Sequence, residues 1–248
     1  AAQGDNGILV QVDLSSVATG VYLDADLDNS STADTANSLE VADARTITAR
    51  TLLTLEASQG SITPVGTLTL AAGSGIVVLD SMSAANTAKS LVINADYDSA
   101  GDGTLTVVGG KVVTSNKSDI TITAWDVDLA GSMTSGDLTV SVHGSKLTQT
   151  IGLGGTAKDM HIADAELQRL TSAGGLRVGG AAGGSMTVHE VTAAGSNNVA
   201  PLVTLVAAAD DAQVVFATAA STFIRVAVQA DSGILLQAHV TGITDYVY

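Results

Sequence analysis

The 248-residue sequence has no cysteine, two prolines and only 3% aromatic residues. Without cysteine, disulfide bonds and thiolate metal sites are excluded. The scarcity of aromatic residues argues against a large ligand pocket, because such pockets are usually lined by aromatic and apolar side chains. Basic residues are also few, 10 against 25 acidic ones, and the net charge of −15 disfavours binding to nucleic acid or to anionic membrane surfaces.

Long apolar runs are absent as well, so we expect no membrane span. The most apolar stretch, residues 200–209, has about half of the roughly 20 residues that a spanning helix needs, and two aspartates follow it directly. The first residues, AAQGDNG, contain no signal peptide. They are compatible with a mature end left by cleavage, or with the start of an excerpt from a longer chain.

Short strand-like segments recur along the whole chain. Most alternate apolar and polar residues, are rich in β-branched side chains and end at Gly, Asn, Ser or Asp. This pattern predicts an all-β chain. The predicted strand segments are 7–14, 38–43, 45–50, 52–57, 66–72, 75–80, 90–96, 103–110, 119–129, 137–144, 185–191, 201–209, 212–220, 223–230 and 233–243.

Two all-β architectures fit these segments, a sandwich or barrel and a β-solenoid. A sandwich core usually contains large side chains such as Trp and Tyr, whereas stacked Val, Leu, Ile and Ala fill a narrow solenoid. Close regular spacing and few prolines and aromatics therefore favour a solenoid formed by one domain, residues 1–248. At roughly 20 residues per coil, we expect roughly ten to twelve coils. At about 4.8 Å per coil, the rod is on the order of 50 Å long.

Internal repetition supports a repetitive fold. VYLDADLDNSS (21–31) resembles LVINADYDSAG (91–101), and the segments that follow, 37–50 and 103–116, also resemble each other. The two units are separated by more than one coil, which indicates a duplication of several coils.

Four phrases in order resemble the repeat arrays of filamentous-haemagglutinin-like surface proteins. They are SLVINADYDSAGDGTLTVVGG (90–110), SDITITAWDVDLAGSMTSGDLTVSV (118–142), TIGLGG (150–155) and MHIADAELQRLTSAGGLRVGG (160–180). This resemblance implies a right-handed parallel β-helix, secretion to the cell surface or the extracellular space, and adhesive or fibre-forming roles.

The last of these phrases contains the one helix-like segment, near residues 163–171. Asp164 opens it, and Gly174 and Gly175 close it. We expect a helix of one to two turns at a solenoid corner, with Leu167 and Leu170 covering the core.

Two groups of polar residues at alternate positions are candidate calcium ligands. Alternate side chains of an extended strand share a face, so each group could bring together several oxygen ligands for a hard cation. The alternative is a solvated acidic corner that keeps a strand edge soluble. The candidate ligands are Asp24, Asp26 and Asp28 in the first group, and Asn94, Asp96 and Asp98 in the second, with Asp102 following as a further ligand.

Histidine metal sites and catalytic sites are less well supported by the sequence. The histidines His143, His161, His189 and His239 have no metal-ligand spacing, and packing explains them better than catalysis. Trp125 with Asp126 and Asp128 could form a carbohydrate-active site, although Trp125 is more simply a corner residue.

Threonine pairs and glycosylation sequons are two further features of the sequence. Four Thr-x-Thr pairs, which begin at Thr46, Thr67, Thr104 and Thr121, are spaced too unevenly for one aligned threonine ladder. Asn29 and Asn116 lie in sequons that permit N-glycosylation in a secreted eukaryotic protein.

The ends of a solenoid expose unpaired strand edges that can pair with other chains. Here these edges are ILVQVDL (8–14) and ITDYVY (243–248). We therefore predict a non-enzymatic, secreted structural rod without a cofactor, a subunit of an extracellular fibre or surface layer that assembles end to end. One alternative is a monomeric adhesin segment that binds a glycan or a host-surface protein along its side. The other is a carbohydrate-active enzyme.

Overall fold

A computed structural model describes residues 1–30 and 36–244 of the chain. The first eleven strands are β1 (Ala2–Gln3), β2 (Ile8–Val10), β3 (Leu14–Ser16), β4 (Val21–Asp24), β5 (Leu39–Val41), β6 (Arg45–Ala49), β7 (Leu53–Glu56), β8 (Ile62–Pro64), β9 (Leu68–Ala72), β10 (Gly75–Val78) and β11 (Met82–Ser83). The next seven are β12 (Leu91–Asn94), β13 (Thr104–Val107), β14 (Val112–Thr114), β15 (Ile120–Ala124), β16 (Asp126–Leu129), β17 (Ser132–Gly136) and β18 (Val140–Gly144). The last elements are β19 (Ile151–Gly154), β20 (Met160–Ile162), α1 (Asp164–Leu167), β21 (Leu170–Ser172), β22 (Leu176–Gly180), β23 (Met186–His189), α2 (Ala193–Ser196), β24 (Val203–Ala207), β25 (Val214–Phe216), β26 (Ser221–Phe223), β27 (Val226–Ala230), β28 (Ile234–Leu236) and β29 (Val240–Gly242).

The strands form where apolar and polar residues alternate, as the sequence predicts. In β15, Ile120, Ile122 and Ala124 are buried, while Thr121 and Thr123 face outward and are partly exposed. The all-β prediction is confirmed, because the described elements other than α1 and α2 are strands.

The strands are arranged in a repeating order of three. From β1 to β15, each strand pairs in parallel with the third strand further along the chain, whereas β17 pairs with β21 and β18 with β22. The first sheet has the order β1-β4-β7-β10-β13-β16, the second β2-β5-β8-β11-β14-β17-β21, and the third β3-β6-β9-β12-β15-β18-β22-β24-β27. Beyond β18, a five-stranded sheet, β20-β19-β23-β25-β28, and a two-stranded sheet, β26-β29, accompany the third sheet. Parallel sheets in which the chain returns after every third strand are consistent with a β-solenoid.

Apolar side chains stack in columns inside the sheets. Successive pairings in the third sheet align seven buried residues: Leu68, Leu91, Ile120, Val140, Leu176, Val203 and Val226. Each buried side chain of this kind stabilises the fold by about 1.5–3 kcal/mol relative to an exposed one. The core is therefore a set of aliphatic columns, as the composition suggests.

The predicted helical excursion is confirmed, and it is short. Leu167 at the end of α1 and Leu170 at the start of β21 are both buried, and Gly175 turns the chain with a φ of +101°. The sequence did not reveal the second helix, α2. It contacts α1 because Asp164 accepts hydrogen bonds from the Thr192 N–H, at 2.8 Å, and from the Thr192 hydroxyl, at 2.7 Å.

Some predicted strands are divided at corners. Segment 7–14 forms β2 and β3, segment 119–129 forms β15 and β16, and segment 233–243 forms β28 and β29. Trp125 separates β15 from β16, and the chain passes there from the third sheet to the first. A continuous run of β-forming residues therefore does not show where a strand bends to a new sheet.

The repeated units lie on different sheets. The 21–31 unit contains β4 of the first sheet, and the 91–101 unit contains β12 of the third. The similarity thus marks strands followed by acidic loops, and the two units are not related by a whole number of turns.

Three sequence features lie partly outside the described residues. The repeat unit 21–31 and the sequon of Asn29 both include Ser31, and the edge ITDYVY includes 245–248.

Candidate functional site

The first candidate calcium group is not held on one strand face. Because β4 ends at Asp24, both Asp26 and Asp28 lie in the loop that follows it. Asp24 accepts hydrogen bonds from the Gln3 side chain and from the Asp26 N–H, each at 3.2 Å. Asp28 accepts one from the Ser30 N–H at 2.9 Å. The expectation that these three side chains share one face of a strand is therefore wrong.

The second group is brought closer together, although by a corner loop. Strand β12 ends at Asn94, and residues 95–103 lead to β13. Ligand oxygens of Asp96, Asp98 and Asp102 lie within 4.8 Å of one another, and the described part of the chain contains no other such group of three. This geometry has the oxygen chemistry that Ca²⁺ requires.

Several partners already engage these carboxylates. Buried Asp96 accepts hydrogen bonds from the N–H groups of Ala100 and Gly101, at 3.1 and 3.0 Å, and from the Ser145 hydroxyl at 2.5 Å. Arg50 forms an ion pair with Asp98 at 2.6 Å, and this hydrogen bond lowers the pKa of Asp98. Since Arg50 and the backbone amides offset negative charge here, calcium binding to this group stays a prediction.

Trp125 and its neighbours form a corner. The Lys146 ammonium lies 5.7 Å from the centroid of the Trp125 ring. The Trp125 carbonyl accepts a hydrogen bond from the Gln149 side-chain amide at 2.7 Å. These contacts favour the corner interpretation of Trp125.

One carboxyl group near this corner, Glu166, was not among the site residues predicted from the sequence. Burial raises the pKa of Glu166, and nearby Asp126 and Asp128 raise it further. Its two oxygens accept hydrogen bonds from the Ala163 N–H, at 2.8 Å, and from the Leu129 N–H, at 3.0 Å. Glu166 thus caps α1 and holds it against β16. Its position three residues after the helix cap is the sequence signal that could have identified it.

Two of the four histidines contact backbone carbonyls, whereas the buried Nδ1 atom of His189 has no hydrogen-bond partner. His143 Nδ1 lies 2.8 Å from the Gly179 carbonyl, and His161 Nε2 lies 2.7 Å from the Gly154 carbonyl. In the parts of the chain that the structure covers, no histidine joins a group with metal-ligand geometry.

The threonine pairs do not form one ladder, for a reason that the spacing did not reveal. Thr46, Thr69 and Thr121 share a column of the third sheet, which Val92 interrupts. Thr104 lies on the first sheet instead. The threonine pairs are separated mainly because they lie on different sheets, and their uneven spacing along the chain matters less.

The two ends of the strand stack expose apolar side chains. Pairing places Ile234 beside buried Val214 and Leu236 beside buried Phe216. Ile234 and Leu236 therefore continue inward-facing columns, yet they are 48% and 62% exposed. At the opposite end, Leu9 is exposed, and Ala2, Leu14, Val21 and Leu23 line an open hollow.

No protein-family model, curated protein or solved structure matches the chain. Neither helix of the described residues is long and apolar enough to cross a membrane.

Proposed function

We propose that the chain is a non-enzymatic structural rod that assembles end to end. In this proposal the strand stack is a right-handed parallel β-helix of roughly ten to twelve coils. The rod is secreted and serves as a subunit of an extracellular fibre or surface layer. The observation that supports this most is the exposure of Ile234 and Leu236, which continue inward-facing core columns at the last turn.

Stacking by a second copy would cover these side chains. The first three strands of the chain start the first, second and third sheets in turn, whereas β27, β28 and β29 end three sheets at the other end. The two ends are different surfaces, so the contact between copies is heterologous and does not close into a ring. Unpaired backbone groups of the edge strands would pair at the same time.

The extracellular location rests on the resemblance of residues 90–180 to filamentous-haemagglutinin-like repeats. The high negative charge fits this role, because like charges along the sides of two rods oppose lateral clumping. The ends carry the apolar surface, so attraction is concentrated there.

Two variants of neighbouring residues test the assembly. Leu236→Lys places a charge in an inward-facing column, whereas Leu235→Lys places the same charge on the outward face of the same strand. We expect wild type and Leu235→Lys to form filaments in negative-stain electron microscopy, and Leu236→Lys to sediment as a folded monomer. Circular dichroism establishes that both variants are folded. A wild-type chain that stays monomeric at all concentrations, or filaments of Leu236→Lys like those of wild type, would contradict the proposal.

A monomeric adhesin is the second candidate, and the outward face of the third sheet favours it. Threonine or serine occupies several outward positions there, including Thr46, Thr69, Thr121 and Ser141. Hydroxyl groups on adjacent strands repeat at about 4.8 Å, a regular polar surface for a glycan. Glycan-array binding by monomeric Leu236→Lys would favour this function, and the Thr121→Val variant should then weaken that binding.

A further inference from the structure

Two buried oxygen atoms near the first acidic loop have no hydrogen-bond partner. Asp26 is 0% exposed, and its Oδ2 accepts a hydrogen bond from the Gln59 N–H at 2.7 Å, while its Oδ1 has no partner. Asn37 is 3% exposed, and its side-chain NH₂ donates to the Ser30 carbonyl at 2.9 Å, while its Oδ1 has no partner. Both unpartnered atoms are acceptors.

These residues lie at opposite ends of one loop and contact the same turn. Asp26 follows β4, Asn37 precedes β5, and Gln59 and Gly60 belong to the turn after β7. Asp26 binds Gln59, and Gly60 packs so closely on Asn37 that a Cβ on Gly60 would lie 2.0 Å from the Asn37 carbonyl oxygen. The loop is therefore anchored at both ends against the next strand-to-strand turn.

Other buried carboxylates in the chain are better compensated. Asp80 pairs with Lys111 and accepts a hydrogen bond from the Ala57 N–H. Asp96 accepts three hydrogen bonds. No lysine or arginine of the described residues pairs with Asp26. A buried charge with one donor is costly unless another group neutralises it.

We infer that a Ca²⁺ ion binds Asp26 Oδ1 and Asn37 Oδ1 and joins the two ends of this loop. A carboxylate oxygen and an amide oxygen are ligands that Ca²⁺ prefers, and backbone carbonyls and waters complete its shell. The site differs from the group predicted from sequence, because Asn37 takes the place of Asp24 and Asp28. Asp24 accepts hydrogen bonds from Gln3 and Asp26, and Asp28 accepts one from Ser30. This inference does not depend on the proposed assembly.

The test measures bound metal and thermal stability of the full chain, with CaCl₂ as the probe. After dialysis against Ca²⁺, elemental analysis should find a Ca²⁺ ion that Asp26→Asn loses. At a free concentration 100 times the Kd, Ca²⁺ should raise the Tm of wild type by about 5–10 °C. Asp26→Asn should lack this response, and in chelator it should be at least as stable as wild type because the buried charge is gone.

Two further variants make the result specific. Asp102→Asn removes a carboxylate from the other acidic loop and should keep the Asp26-dependent ion. Asn37→Asp adds a second carboxylate, so it should bind Ca²⁺ more tightly and be less stable than wild type in chelator. The inference is overturned if wild type binds no Ca²⁺, if Asp102→Asn alone abolishes binding, or if Asn37→Asp leaves the affinity unchanged.

Discussion

Lys111 pairs with Asp80 across one turn of the strand stack. The Lys111 ammonium contacts Asp80 Oδ1, and the two side chains are 35% and 6% exposed. The other Asp80 oxygen accepts a hydrogen bond from the Ala57 N–H at 2.9 Å. These three residues follow β13, β10 and β7, so one carboxylate connects three successive turns at the same corner.

Removing this ammonium should destabilise the corner. Lys111→Met keeps most of the aliphatic stem but leaves the Asp80 carboxylate with one donor. We expect a loss of about 1–3 kcal/mol of unfolding free energy, because a charged hydrogen bond to a buried group is lost and Lys111 is partly solvated. Urea unfolding measures the change. Lys117→Met is the control, since Lys117 pairs with Asp137 and both are exposed; its effect should stay within about 0.5 kcal/mol. Equal losses in the two variants would contradict this assignment.

The contact between the two helices should be sensitive to a single methyl group. A Cβ on Gly195 would lie 2.0 Å from Asp164 Oδ1, and two hydrogen bonds from Thr192 prevent that carboxylate from moving away. Gly195→Ala should therefore cost about 1–3 kcal/mol of stability. In the control Gly109→Ala the nearest atom is 3.9 Å from the new Cβ. We expect Tm to fall only for Gly195→Ala, and equal Tm values would show that the corner relaxes freely.

Glu166 should make stability depend on pH. Burial raises its pKa in the folded state, so the folded protein binds this proton more tightly than the unfolded chain does. The stabilisation that this proton provides is fully present below the pKa of the unfolded chain, about 4.3. It is lost as the pH rises through the raised pKa of the folded state.

The Glu166→Gln variant tests this dependence because its side chain does not titrate. The difference in Tm between Glu166→Gln and wild type should shift in favour of the variant as pH rises from 4 towards 7. Measurements below the ordinary pKa are the internal control, because both side chains are then neutral. A difference that does not change with pH would contradict the effect of burial.

Phe216 is one of two buried phenylalanines in the last turns of the stack. Phe216→Ala should cost about 3–5 kcal/mol, because the aliphatic columns around it cannot fill the cavity completely. Leu147→Ala is the control, since Leu147 is exposed, and it should change stability by about 0.5 kcal/mol or less. Denaturation curves that coincide for the two variants would show that Phe216 is not part of the stabilising core.

The sequence predicted the strand interiors better than the corners. Alternation in segments such as 119–124 depends on neighbours two residues apart, so it can be read locally. Ten short strands of the described residues lie outside the predicted strand segments, because two to five residues give too little periodicity. They are β1, β4, β8, β11, β14, β17, β19, β20, β21 and β22. The expectation that Asp24, Asp26 and Asp28 share one strand face was wrong, because β4 ends at Asp24; calcium binding to this group stays a prediction.

By itself, the sequence determined the all-β class, the aliphatic core and the short helix over Leu167, because each depends on residues close together in the chain. Only the tertiary structure decided which residues meet between turns. It placed Thr46 and Thr121 in one column and Thr104 on another sheet. It also brought Asp26 and Asn37 to the Gln59–Gly60 turn. The physical reason is that corner loops vary in length, which changes the spacing along the chain without changing the register of the paired strands.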